Sequence, residues 1–137
     1  MYTVGVRDHL RVAHSLRGEA FGAQQQLHGA TFTVSAELSR EELTDAGVVV
    51  DASTLRRELR TVLDGLDYRN LDEHPAFQGR RSTPELIARH VHRELGRRLP
   101  ITAAASLTLT LEEPPATWAR YTAPLRAGQD APPPARG

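Results

Sequence analysis

The chain has no cysteine, and that absence removes disulfides, thiolate metal ligands and a cysteine nucleophile together. Lysine is missing as well. All 17 basic residues are arginine, so neither a lysine Schiff base nor a lysine general base exists here. Neither sign of charge is in excess, because 17 Asp and Glu balance the arginines. A neutral chain offers no electrostatic case for nucleic acid or an anionic membrane as partner. Aromatics are scarce at 5%, beside 39% hydrophobic and 25% charged residues, a composition ordinary for a soluble globular protein. No apolar run approaches membrane-spanning length, and the N-terminus reads into a strand pattern rather than a signal peptide. The expected location is the cytoplasm. With 137 residues there is room for one domain with a modest core.

What is present is organised around His28. Alternation over Thr31–Leu38 places Phe32, Val34, Ala36 and Leu38 on one face, and the same parity carries Ala30 and His28 to that side. The preceding run, Tyr2–His14, aligns Val4, Val6, Leu10, Val12 and His14, with Asp8 the polar exception. Two strands therefore each carry an imidazole on the face expected to be buried. Ser15–Leu27, with Gly18, Gly22 and a glutamine triplet, reads as a long connection. Pairing as a hairpin would set His14 and His28 at the same end of the sheet.

A helix is predicted after Asp51 or Ser53 as cap, with Leu55, Leu59, Val62, Leu63 and Leu66 as its apolar stripe and Gly65 at its end. A second opens with Ser82 or Thr83 as cap, Pro84 at the first position and Glu85 completing a capping box. It carries Leu86, Ile87, Val91 and Leu95 inward and stops at Pro100. Leu107, Leu109 and Leu111 define a third strand, and Thr117–Thr122 a short last one. The order ββααββ predicts an α+β domain over residues 1–122, a four-stranded antiparallel sheet with two helices on one face. Residues 123–137, rich in Ala and Pro, are expected to be a disordered tail. Apolar residues such as Val49 and Leu27 remain for the uncovered face, so a partner subunit is expected.

Glu113 falls on the leucine side of its strand. A carboxylate there is costly unless paired, so it meets either a ligand's N–H donors or an arginine. His14 and His28 are either two metal ligands, with a third from His74, His9 or a neighbouring subunit, or a hydrogen-bonded pair without metal. His90 and His92, two apart on a helix, read as solvated.

These residues fall into an ordered set of motifs. Ala13-His14-Ser15-Leu16 is followed by His28-Gly29-Ala30-Thr31-Phe32, Gly47-Val48-Val49-Val50-Asp51 and Leu66-Asp67-Tyr68-Arg69-Asn70-Leu71-Asp72. Ser82-Thr83-Pro84-Glu85-Leu86 and Glu113-Pro114-Pro115-Ala116-Thr117-Trp118-Ala119-Arg120-Tyr121 complete it. From about Tyr2 to Tyr121 the series resembles the 6-pyruvoyl-tetrahydropterin synthase / 6-carboxytetrahydropterin synthase family, of the tunnelling fold. The resemblance implies a homo-oligomer, tetramer or hexamer, closing into a β-barrel with sites at subunit interfaces. It also implies a pterin-like or purine-like substrate anchored by Glu113 beside Thr83, zinc as cofactor and no organic cofactor.

The departures fall on the chemistry. The family's three zinc histidines are matched by His14 and His28 but by Ala30 at the third position. The catalytic cysteine position holds Gln24, an amide with no accessible pKa. The Asp-His catalytic pair becomes Asp67-Tyr68, a carboxylate beside a phenol, which serves either as a proton relay or as a helix terminus that pins a loop. Two functions follow as expectations: a lyase with altered chemistry, or a catalytically inactive pterin- or purine-binding or scaffold paralogue.

Overall fold

The computed structural model describes residues 1–16 and 18–126. Strand β1 (Tyr2–His14) and strand β2 (His28–Arg40) form a full-length antiparallel ladder in which Leu10 faces Phe32, Val12 faces Ala30 and His14 faces His28. The connection carries a 3-10 segment, Glu19–Gln25, kinked at Gly22 where φ is 53°. Helix α1 (Ala52–Asp64) starts at Asp51, whose carboxylate accepts the Ser53 N–H at 3.1 Å. A two-residue strand β3 (Arg69–Asn70) lies parallel to the end of β1. Helix α2 (Pro84–Arg98), strand β4 (Ala105–Glu113) and strand β5 (Thr117–Leu125) complete the chain. The sheet order is β3-β1-β2-β4-β5, so two hairpins meet at the β2–β4 ladder.

The expected α+β arrangement is present with additions: β3 makes the sheet five-stranded, and short 3-10 turns at Leu71–Glu73 and Pro75–Phe77 occupy the inter-helix loop. Such short pieces carry no periodicity, which is why alternation could not reveal them. The last strand also runs past Thr122 to Leu125, beyond the boundary drawn from composition. Leu125 is buried under α2, where a Cβ on Gly96 would stand 2.9 Å from its Cδ2. Gly96 thereby lets helix and strand approach. The remainder of the expected tail, residues 127–137, lies outside the described residues.

The core lies between the sheet and the helices. Phe32, Val34, Ala36 and Leu38 of β2 and Leu107, Leu109 and Leu111 of β4 meet Leu55, Leu59 and Leu63 of α1 and Ile87, Val91 and Leu95 of α2. Each fully buried leucine contributes about 1.5–3 kcal/mol. The opposite sheet face is polar, not apolar as expected: Thr33 faces Glu112, Ser35 faces Thr110, and Glu37 faces Thr108. Val49 belongs to the core, and Leu27, though exposed, sits in the hairpin connection rather than on that face. The apolar argument for a partner subunit therefore does not hold. Two sheet edges remain, β5 along its length and β1 ahead of the short β3 pairing.

Candidate functional site

The hairpin register places the two imidazoles side by side, with ring centroids 4.7 Å apart. His14 is buried, and its Nδ1 lies 2.9 Å from the Ser82 carbonyl and 3.1 Å from the Ser82 hydroxyl. A carbonyl only accepts, so Nδ1 carries the proton and Nε2 keeps its lone pair. Burial pushes the His14 pKa down, against the opposing bond to Ser82 and the charges of Asp72 and Glu113. His28 is arranged in the same way, its Nδ1 donating to the Gln26 carbonyl at 2.9 Å. Of the two residues expected to cap α2, Thr83 takes the position, its hydroxyl accepting the Leu86 N–H at 3.3 Å, which frees Ser82 to orient His14.

Both rings thus have the tautomer and the carbonyl support typical of metal-ligating histidine. The number of donors is short. Ala30, two residues after His28 on the same strand face, is 7% exposed, faces Val12 and brings no donor, and no group of three metal-binding side chains occurs among the described residues. His74 cannot complete the set, because its Nδ1 accepts the Ala76 N–H and its Nε2 donates to the Gly65 carbonyl, both at 3.1 Å. His9 is exposed, on the opposite face of β1. Within one chain the residues do not fit a catalytic zinc, which takes three protein ligands.

Glu113 lies at the end of β4 in a cavity of about 220 Å³ that it shares with Phe32, Leu111, Pro84, Glu85, Thr117, Trp118 and Ala119. Its carboxylate has no hydrogen-bond or ion-pair partner among the described residues, so the arginine alternative is not realised. Trp118 is 61% exposed with the Arg120 guanidinium 4.7 Å from its ring. Phe32 connects the cavity to the imidazoles, its ring edge-on to His14 at 6.4 Å. Phe32 and Trp118 were not singled out from sequence as site residues, although the parity of Phe32 pointed toward the face that bears His28.

Asp67 and Tyr68 stand apart from that cavity. One Asp67 oxygen accepts the Arg11 backbone N–H at 2.8 Å; the other accepts Arg11 Nη2 at 2.8 Å and Arg60 Nη2 at 3.0 Å. Burial opposes ionisation, but the arginine bonds and charges outweigh it and hold the carboxyl below the usual carboxylate range. Tyr68 has φ 60° and is 78% exposed, with the Arg11 guanidinium 4.7 Å from its ring centre. Gln24 is exposed, and its backbone carbonyl accepts the Leu16 N–H at 2.8 Å. His90 and His92 are not solvated: His90 packs against Phe77 at 5.6 Å, and buried His92 donates from Nε2 to the Ala123 carbonyl at 3.2 Å.

The sequence profile of 6-pyruvoyl tetrahydropterin synthase matches residues 3–124. The chain belongs to that family. The 6-carboxy-5,6,7,8-tetrahydropterin synthase of Bacillus subtilis (strain 168) is 32% identical over 88 residues, 61% of this chain and 58% of that protein. The match thus spans little more than half of that relative's length. Among solved structures, Caenorhabditis elegans 6-pyruvoyl tetrahydropterin synthase aligns with a TM-score of 0.76 at 27% identity, covering 89% of this chain and 95% of that one. The Plasmodium falciparum 6-pyruvoyl tetrahydropterin synthase shares the fold, with a TM-score of 0.68 at 17% identity over 89% of this chain and 97% of that one. No helix among the described residues is long and apolar enough to cross a membrane.

Proposed function

We propose that this chain binds a pterin-like heterocycle and acts on it as a lyase whose chemistry uses neither a thiol nor a zinc ion held by one chain alone. The observation that carries the reading is the Glu113 carboxylate, without a partner among the described residues, in a cavity walled by Phe32 and Leu111. An aminopyrimidine edge offers two parallel N–H donors, which a carboxylate accepts together in the strong charge-assisted geometry. Phe32 and Leu111 supply apolar wall for a planar ring. His14 and His28, with Nε2 available, are the groups that would take and return a proton on the substrate side chain. Thr83, already committed to its helix N-terminus, contributes by holding α2 against the cavity.

The reading includes a homo-oligomer. Two open sheet edges and an exposed aromatic held at positive φ favour pairing with another copy, which would set Tyr68 against a neighbour. Light scattering measures that state directly, and a monomer at working concentration overturns it. A second reading, a binding paralogue without turnover, is favoured by the missing third metal donor and by Gln24. Titration with neopterin, followed by its fluorescence, tests the pocket: saturable binding is expected, and binding unchanged in Glu113→Gln would remove Glu113 as the anchor. Side-chain loss from a dihydroneopterin-type substrate, followed by mass, then separates lyase from binder.

A further inference from the structure

We infer that the groove between α2 and β5 is a second binding site, one that takes a phosphate group. Arg89, Arg93 and Arg97 recur every four residues, so they share one face of α2, and like charges at that spacing repel. All three line a cavity of about 270 Å³ with His92, Tyr121 and Leu125. Arg97 is partly offset by Glu94 at 3.5 Å. Arg89 and Arg93 have no ion pair among the described residues.

Tyr121 also lines this cavity. Tyr121 is half-buried, its ring edge-on to His92 at 5.0 Å, yet its hydroxyl has no hydrogen-bond partner among the described residues. His92 is anchored through the Ala123 carbonyl, which keeps the ring beneath Tyr121 in place.

Guanidinium forks around an uncommitted hydroxyl suit a tetrahedral dianion, because each fork spans two oxygens and the phenol O–H donates to another. The Glu113 cavity has the reverse character, with two carboxylates in its wall. One phosphate group would be repelled there and drawn to the α2 groove.

The test is calorimetric titration of the full chain with inorganic phosphate and, separately, with ribose 5-phosphate, both at matched ionic strength. One saturable site per chain is expected. Arg89→Ala and Arg93→Ala should each weaken it about tenfold, and Tyr121→Phe about threefold. Neopterin binding should be unchanged in Arg93→Ala, so this site stands or falls separately from the pterin pocket. Tighter binding of ribose 5-phosphate would support a phosphate ester as the ligand, and tighter binding of inorganic phosphate the free ion. Absence of saturable binding overturns the proposal, as does binding that both arginine variants retain. Should a variant misfold, the arginine Nε–H resonances of the unaltered protein decide: phosphate must shift them, and chloride at equal ionic strength must not.

Discussion

Two carboxylates in this molecule, Asp67 and Glu113, have opposite surroundings. Asp67, with a side chain 10% exposed, receives a backbone N–H and two arginine side chains, and Arg60 ties it onward to Asp8 and Asp64 at 3.0 and 2.9 Å. Glu113 has no cation beside it among the described residues and opens onto a cavity. A saturated carboxylate holds a frame, here joining the end of α1 to β1. An unsaturated one retains its binding capacity for something outside the chain. Both lie in motifs singled out from the sequence, so the surroundings, not the motif, tell the roles apart.

The sharpest way to break this comparison is to neutralise Glu113. Glu113→Gln is expected to weaken neopterin binding about 100-fold, the upper range for a charge-assisted contact, while leaving thermal stability unchanged. Next in size is a gain of function at the imidazoles. Ala30→His adds a third donor beside His28 on the same strand face, and about one zinc ion per chain should survive dialysis, against a substoichiometric amount in the unaltered protein. Metal analysis of both proteins checks this, and equal content in the two would show that number of donors is not the missing element.

Removing the saturated carboxylate should have the opposite signature. Asp67→Ala is expected to destabilise the fold by about 2–3 kcal/mol in urea titration, below the cost for a fully buried pair because Arg11 and Arg60 are partly exposed, with neopterin binding within about threefold. The same residue sets an acid limit. Its folded pKa is depressed, so the unfolded chain binds the proton more readily. Its stabilisation is complete above the unfolded value of about 4 and is lost as pH falls through the lower folded one. Asp67→Asn should flatten that part of the stability profile.

The smallest effect concerns His90, whose pKa is lowered first by burial and then by His74, Arg93 and Arg97, with Glu94 opposing. Its contribution is present above the unfolded value of about 6.5 and is lost as pH falls below it. His90→Gln should reduce that slope by less than about 1 kcal/mol overall, read from urea midpoints at pH 7 and pH 5.

Much of this frame was legible from alternation. The parity of β1 and β2 predicted that His14 and His28 would meet at one end of the hairpin, and they are register partners. The leucine stripes and the Asp51 cap located both helices closely. What alternation cannot carry is partnership across long separations. Arg11 and Asp67 are 56 residues apart, and His14 and Ser82 are 68 apart. Neither pair is visible until the helices have a position. The cap of α2 stayed open between Ser82 and Thr83 for the same reason, since both satisfy the local pattern and only tertiary surroundings assign Ser82 to the imidazole. The uncovered sheet face misread as apolar rested on Val49, whose loop folds inward to the core.

The strand order has a kinetic consequence. β1–β2 and β4–β5 are hairpins that close locally, whereas β2 and β4 meet only where Thr33 finds Glu112, after both helices have been made. From loop-closure entropy, that joining is the step expected to be slow in assembly. His14 and His28 arrive with one hairpin, and Glu113 and Trp118 with the other. The pocket therefore draws on both hairpins, and a change that delays the seam is expected to delay ligand binding with it.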